Sequence, residues 1–171
     1  TIVKEVFGVD VQHAFSRIFD RLSLSIEPGD VVLVTGASGS GKSTLLKLLT
    51  SNRPSLKKRL EWHGSFPRVR RDMFQVLDMN FDVSIPLIDQ IDRRKDIKYA
   101  IRLLNSVGLT EAHLYIKRPN QISDGQKYRF AIAKLCDSRK PIWIADEFLS
   151  TLNPEIAAVV AKGLRKVGYR N

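Results

Sequence analysis

The chain has 171 residues, of which 43% are hydrophobic, and this is enough to bury a sizeable core in one domain. Its 28 Lys and Arg residues outnumber its 18 Asp and Glu residues, and the formal net charge of +10 favours partners that carry phosphate or anionic lipid headgroups. A helical membrane span is excluded because there is no run of about 18 apolar residues, and an internal disulfide is excluded because Cys136 is the only cysteine.

Two short segments near the N-terminus have the pattern of β-strands. Residues 22–26 alternate between apolar and serine side chains, which is typical of a half-buried strand. Pro28 and Gly29 then signal a turn, and the continuous apolar run at 31–34 predicts a second, buried strand. We therefore expect two strands that lead into the glycine-rich segment that follows.

This glycine-rich segment reads G-A-S-G-S-G-K-S-T at 36–44, the pattern of a phosphate-binding P-loop, and a leucine-rich helix is predicted to begin near Lys42. The backbone N–H groups of such a loop converge on the α- and β-phosphates of a nucleotide, assisted by the positive end of the helix dipole. Lys42 would reach the β- and γ-phosphates, and the Ser43 hydroxyl is the expected Mg²⁺ ligand. A Gly/Ser-rich turn is the alternative, but strand, motif and helix occur together. The predicted nucleotide-binding residues are Gly36, Ala37, Ser38, Gly39, Ser40, Gly41, Lys42, Ser43 and Thr44.

A basic segment follows the predicted helix, at 51–71. It contains one acidic residue, Glu61, and the aromatic residues Trp62 and Phe66 among many cations. Aromatic side chains among basic ones suit stacking on single-stranded nucleic acid, whereas a solvated charged face is the alternative. The cations of this segment are Arg53, Lys57, Lys58, Arg59, Arg68, Arg70 and Arg71.

The middle of the chain is predicted to be helical. Residues 85–107 have apolar side chains at helical spacing, and Gly108 is expected to end the helix. The predicted apolar face consists of Ile97, Ala100, Ile101, Leu104 and Val107.

A second predicted helix begins at residues 122–126, which read I-S-D-G-Q. Ser123 as N-cap and Gln126 three residues later form a capping box, and the apolar pattern continues beyond them. By itself this segment predicts only a helix start. The side chains at helical spacing are Tyr128, Ala131, Ile132 and Leu135.

The apolar run at 141–147 predicts a buried strand that ends in two carboxylates. Asp146 would hold Mg²⁺, and Glu147 would be the general base that polarises an attacking water. Two acids that merely solubilise the end of a strand are the alternative. Further along, Asn153 is expected to cap a helix that starts at Pro154 and ends before Gly168.

Three of these segments, in this order, resemble the motifs of ATP-binding-cassette (ABC) ATPases. Residues 36–44 match the P-loop, residues 122–126 are similar to the signature motif usually written L-S-G-G-Q, and residues 141–147 are similar to the Walker B strand. The resemblance extends from about Ile2 almost to the end of the chain. It implies an α/β fold of the P-loop NTPase type, with a mixed central sheet, an N-terminal antiparallel β-subdomain and a small helical signature subdomain.

The resemblance also implies a single domain over 1–171. Its parts would be a β-subdomain with the P-loop region at 1–74, the helical subdomain at 75–122, and the signature helix, Walker B strand and D-loop at 123–171. The C-terminal part of the fold, including a switch histidine after Glu147, is expected to be missing because the chain stops at Asn171.

Further roles follow from the resemblance. Gln75 sits at the Q-loop position, whose glutamine contacts Mg²⁺ and the catalytic water, although it is also explained as a polar residue at a strand end. Residues 150–153 occupy the D-loop position, which contacts the opposite subunit. Phe7 is the candidate for stacking on adenine, with Phe15 as the reserve and ordinary core as the alternative for both. The signature residues expected to touch the γ-phosphate of the other subunit are Ser123, Gly125 and Gln126.

The implied ligands are ATP and Mg²⁺, and the implied partner is a second ABC-type subunit in a head-to-tail homodimer. Three functions are open at this point. One is a soluble, cytoplasmic ABC-type ATPase, part of a larger protein, that acts on nucleic acid or on a fused domain; a single cysteine suits that reducing compartment. A second is the motor subunit of an ABC membrane transporter with a transmembrane partner, favoured by the compact spacing between Gln75 and Ser123. The third is a degenerate module that binds ATP without turnover, because Asp124 and Asn153 replace the usual glycine and aspartate.

Overall fold

The computed structural model of the chain describes residues 18–27, 29–50, 73–91, 96–150 and 152–168. The chain divides into two compact units, Thr1–Leu45 and Leu46–Asn171. The α-helices are α1 (Lys42–Thr50), α2 (Ile97–Ser106), α3 (Ala112–Tyr115), α4 (Asp124–Asp137) and α5 (Pro154–Gly168). The strands are β1 (Phe74–Val76) and β2 (Ile142–Ile144), and short 3-10 helices occupy Ile88–Gln90 and Pro119–Gln121.

The two strands predicted before the P-loop are not formed, so that prediction is wrong. Residues 22–27 and 31–36 adopt neither helix nor strand, and Val31 and Leu33 are 96% and 83% exposed. An apolar sequence pattern provides side chains that can be buried on one side of a strand. A strand also needs a neighbouring strand with which its backbone N–H and C=O groups form hydrogen bonds. No segment within the described ranges pairs with either run, and the predicted antiparallel β-subdomain is therefore not confirmed.

In the second unit, β1 and β2 form a two-stranded parallel sheet. Gln75 is paired with Trp143, and the ladder continues through a hydrogen bond of 2.8 Å from Leu77 N to Ile144 O. Because the strands are parallel, their carboxyl ends lie at the same edge of the sheet. The residues that follow β1 and those that follow β2, including Asp146 and Glu147, therefore leave the sheet on the same side.

The hydrophobic core of this unit lies among α2, α4 and α5. Phe130 and Ile132 of α4 and Val160 of α5 are completely buried, as is Leu104 of α2. The Phe130 ring also lies 5.1 Å from the ring of Phe81, at an interplanar angle of 49°. Cys136 belongs to this core, as expected of a small hydrophobic residue.

The predicted helix at 85–107 is divided, which corrects its boundaries. A 3-10 helix at Ile88–Gln90 ends at the extended residue Ile91, and α2 begins only at Ile97, with Asp96 as its N-cap. Pro86 disfavours helical backbone at the residue before it, which keeps a helix from starting there. Ile97 is 63% exposed because it lies in the first turn of α2, beyond the core.

The end of α2 is as predicted. The buried positions are Ala100, Leu103, Leu104 and Val107, so the apolar face gains Leu103, whereas the predicted Ile101 is half-buried and Ile97 is exposed. Gly108 has φ +79°, and its N–H donates to Asn105 O while Leu109 N donates to Leu104 O, both at 3.0 Å. This pair of bonds is the Schellman arrangement, which needs a left-handed residue at the position of Gly108.

Candidate nucleotide-binding site

The P-loop turns into α1 at the lysine that the sequence predicted. Ser40 N donates to Ala37 O at 3.2 Å, and Leu45 N donates to Gly41 O at 2.8 Å, so the loop closes one turn and then opens the helix. Gly39 and Gly41 have φ of +76° and +94°, values that side-chain-bearing residues rarely adopt. The predicted helix start at Lys42 is therefore confirmed.

The ammonium group of Lys42 lies over its own loop. Its Nζ donates to Gly36 O and to Ala37 O, each at 2.8 Å. A lysine ammonium has three donors, so one remains for a phosphate oxygen while two hold the loop. Ser43 is exposed and Thr44 is half-buried, which leaves the Ser43 hydroxyl open to a ligand.

Two residues beside the loop were missed by the sequence analysis. A Cβ atom on Gly41 would overlap Ile18 Cγ2 and would lie 3.1 Å from Phe19 Cζ. The side chains of Ile18 and Phe19 therefore pack directly against this glycine. Nothing in their spacing distinguishes them from other apolar residues. Phe7 and Phe15, the predicted adenine-stacking candidates, lie outside the described residues.

The start of α4 has the predicted capping box. Ser123 Oγ accepts from Gln126 N at 3.3 Å, and Gln126 Oε1 accepts from Ser123 N at 2.9 Å. No described heavy atom lies within 4 Å of the position that a Cβ on Gly125 would occupy. The signature segment therefore presents an open backbone surface.

The unusual Asp124 is paired within the helix. Lys127 Nζ lies 2.9 Å from Asp124 Oδ1, and the aspartate side chain is 94% exposed. A surface pair of this kind adds little stability, but it does place a cation beside the carboxylate. The negative charge that replaces the usual glycine is thus partly neutralised by the same helix.

The two acidic residues after β2 lie on an unusual turn. Asp146 and Glu147 are exposed, and Glu147 and Leu149 have φ of +51° and +62°. Non-glycine residues in this conformation cost on the order of 1–3 kcal/mol each and cluster at functional sites. The turn is closed by Ser150 N, which donates to Glu147 O at 3.1 Å, and by Leu152 N, which donates to Leu149 O at 3.1 Å.

Gln75 lies in the middle of β1 rather than at its end. Its Nε2 donates to Val76 O at 3.2 Å, and its side chain lines an open cavity of about 430 Å³ in the second unit. Gln90, Lys134 and Asp137 line the same cavity. Gln75 thus lies in β1 and Asp146 follows β2, the adjacent strand of the same sheet, and the contact of Gln75 with a metal stays a prediction.

The D-loop position ends in the predicted helix cap. Asn153 Oδ1 accepts from Ile156 N at 2.9 Å, and α5 starts at Pro154. The helix includes Gly168 instead of ending before it, a one-residue difference that is common at helix ends. Thr151 and the whole basic segment at 51–71 lie outside the described residues.

Two residues of α4 that the sequence analysis gave no role make contacts across the fold. Tyr128 Oη accepts from Leu149 N at 2.8 Å, and Arg129 donates from Nη1 to Gly108 O at 2.6 Å and from Nε to Gly125 O at 3.3 Å. Burial lowers the pKa of Arg129, while the carboxylate of Glu111 raises it. The contacts of Tyr128 with Leu149 and of Arg129 with Gly108 each join residues 21 positions apart, so helical spacing alone could not reveal them.

None of the helices in the described ranges has the length and apolar character needed to cross a bilayer. His113 lies at the surface, where its Nε2 is 3.3 Å from Glu111 Oε2. Trp143 packs against the core, and its buried Nε1 meets no acceptor among the described residues.

Comparison with known proteins gives the family. Residues 19–150 match the family model described as ABC transporter. The chain is 33% identical to the methionine import ATP-binding protein MetN 1 of Oenococcus oeni, over 90% of this chain and 49% of that protein. It is 31% identical to the cytochrome c biogenesis ATP-binding export protein CcmA of Hahella chejuensis, over 87% of this chain and 75% of that protein. It is 27% identical to the thiamine import ATP-binding protein ThiQ of Vibrio parahaemolyticus, over 92% and 73% of the two chains.

The chain therefore spans about half the length of the first of these relatives and about three quarters of the other two. The family match covers the P-loop, the signature segment and the Walker B strand together, which is the order on which the sequence resemblance rested. With a P-loop at the start of α1 and parallel strands joined through helices, the chain belongs to the ABC transporter family, as an ATP-binding ATPase domain of the P-loop NTPase superfamily.

Proposed function

We propose that this domain binds and hydrolyses Mg·ATP as the nucleotide-binding subunit of an ABC membrane transporter. The observation that carries the ATP-binding part is the P-loop at the head of α1, with the Lys42 ammonium held 2.8 Å from two loop carbonyls. The relatives named above, which are import or export proteins, support the transport role. None of their names refers to nucleic acid, and they do not support a nucleic-acid role for the basic excess.

In this proposal the domain over 1–171 acts as one ATPase unit with divided roles. The N–H groups of 36–44 and the Lys42 ammonium bind the phosphates, which places the negative charge at the positive end of α1. Ser43, Gln75 and Asp146 would hold Mg²⁺ through oxygen donors, which this metal prefers, and the bound metal would neutralise charge on the phosphates. Glu147 orients and deprotonates the water.

A single P-loop covers ATP from one side only, so a second subunit is part of the proposal. Ser123, Gly125 and Gln126 of one copy would cover the γ-phosphate held by the other, in a head-to-tail dimer. The open surface at Gly125 supports this use, because it lies in the first turn of α4, where the positive end of the helix dipole favours an anion. Binding of ATP then closes the dimer, and hydrolysis opens it.

The test is ATP-dependent assembly. We expect the Glu147→Gln variant to bind Mg·ATP and to double its mass with ATP in light scattering, since the nucleotide stays intact in the interface. Lys42→Ala in the same background is the matched control and should remain monomeric. If calorimetry finds no heat on titration of the folded protein with Mg·ATP, the proposed function is wrong; co-purification of an integral membrane protein supports the transport role.

A second candidate is an ATP-binding module without turnover. It is favoured by Asp124, whose carboxylate replaces a glycine at the segment that should meet the γ-phosphate, although Lys127 lies 2.9 Å from it. Phosphate release distinguishes the two. A release rate that is the same in the native protein and in Glu147→Gln would select the module without turnover.

A further inference from the structure

The turn that carries Glu147 requires support from outside. Two of its non-glycine residues, Glu147 and Leu149, have positive φ, which unsupported backbone rarely adopts. Such conformations persist where the surrounding structure holds them. Two hydrogen bonds inside the turn pair the carbonyl oxygens of Glu147 and Leu149 with backbone N–H groups. Neither bond involves the N–H group of Leu149, which therefore needs an acceptor from outside the turn.

That N–H is satisfied by Tyr128 of the signature helix. Leu149 N donates to Tyr128 Oη at 2.8 Å, and the side chains of Tyr128, Leu149 and Leu152 all pack against the core of the second unit. Tyr128 lies on α4 five positions after Ser123, so one side chain joins the start of the signature helix to the turn after β2. The tyrosine ring packs against the core, and its hydroxyl is hydrogen-bonded to the backbone of the turn.

We infer that Tyr128 is a positioning residue. Its hydroxyl holds the backbone of the turn at Leu149, and this contact fixes the position of the Glu147 carboxylate relative to the signature helix α4. This inference rests on the proposed function, in which Glu147 acts on the ATP of its own copy. The start of α4 meets the ATP of the other copy. Tyr128 therefore couples the two ATP sites of a dimer through a single chain.

The electrostatics agree with a phenol that stays protonated. Burial raises the pKa of Tyr128, the Leu149 N–H lowers it, and the carboxylate of Glu147 raises it. The net direction is upward, so the hydroxyl remains neutral near pH 7 and keeps its own hydrogen while it accepts from Leu149.

The experiment removes one oxygen atom. Tyr128→Phe keeps the ring in the core but leaves the Leu149 N–H without its acceptor. Tyr115→Phe is the matched control, because Tyr115 Oη lies 2.6 Å from Asn105 Oδ1 and 3.2 Å from Thr110 O, at contacts that do not involve the turn. Both variants are made in the full-length protein.

For Tyr128→Phe we expect kcat for ATP hydrolysis to fall roughly five- to tenfold, the equivalent of one lost hydrogen bond, with KM for ATP nearly unchanged. The Hill coefficient for ATP should move towards one, since the two sites are no longer joined. Tyr115→Phe should change neither. A merely structural role would instead lower the unfolding temperature of both variants alike and leave the Hill coefficient as it was.

Amide hydrogen exchange at Leu149 without nucleotide is the second readout. It should become faster in Tyr128→Phe and stay unchanged in Tyr115→Phe. If kcat, Hill coefficient and exchange in Tyr128→Phe all match the native protein, the inference is overturned. If the native protein shows no turnover, the proposed function fails, and the exchange at Leu149 still decides: faster exchange supports the positioning contact, and unchanged exchange overturns it.

Discussion

Replacement of Gly163 by alanine should destabilise the protein, against the usual effect of this substitution. In the interior of a helix, alanine is favoured over glycine by about 0.8–1.0 kcal/mol, so propensity alone predicts a gain. Gly163 lies in α5 where that helix crosses the end of α2, and a Cβ there would overlap the carbonyl oxygen of Ser106 and lie 2.8 Å from its carbonyl carbon. Forcing extra volume into a filled site costs about 1–3 kcal/mol, and a backbone carbonyl cannot rotate away as a side chain can.

The balance is a net loss of up to about 2 kcal/mol in the free energy of unfolding. For a domain of this size, that lowers the melting temperature by up to about 8 °C. Urea denaturation and thermal melting should both detect the change. The close approach of the two helices leaves little room for relaxation without a shift of α5.

Gly125→Ala is the matched control, because nothing lies within 4 Å of the position of its Cβ. In the absence of nucleotide this control should be neutral or slightly stabilising. If Gly163→Ala instead raises the melting temperature by as much as helix propensity predicts, α5 has room for a methyl group beside α2 and the predicted clash with Ser106 does not occur.

Three other predictions follow from single contacts. Ser123→Ala removes the capping hydrogen bond to Gln126 N and should cost about 0.5–2 kcal/mol in urea denaturation, with no loss in a Ser123→Asp variant that can still cap. Burial first, and the charge of Asp137 next, raise the pKa of Cys136 to about 12, so the thiolate is absent near neutral pH and alkylation by iodoacetamide should require unfolding; rapid labelling of the folded protein at pH 7 would contradict this. Gly41→Ala should abolish binding of Mg·ATP in calorimetry, because alanine is strained at φ +94° and its methyl group would overlap Ile18, whereas unchanged affinity would show that the loop tolerates a side chain there.

Local features were predicted well because a few neighbouring residues determine them. The helix start at Lys42, the capping box at Ser123 and the cap at Asn153 each depend on contacts within three or four positions. The left-handed end of α2 needs only a glycine at 108. The order of three motifs was enough to predict the family, which the match over 19–150 confirms.

The predictions that were wrong concerned partners distant in the chain. An apolar run at 31–34 looks the same whether or not another segment completes its ladder, and here it forms no strand in the described residues. The helix predicted at 85–107 was divided because the backbone is extended at Ile91 and Asp96 caps the start of a new helix, in spite of the apolar spacing.

By itself, the sequence determined a phosphate-binding loop, the starts of three helices and membership of the ABC transporter family, because each depends on side chains close together in the chain. Only the tertiary structure decided that Tyr128 supports the turn after Glu147, that Arg129 joins Gly108 to Gly125, and that Gly163 must lack a side chain. These contacts join residues that are adjacent only after the chain folds, and no local periodicity encodes such distances.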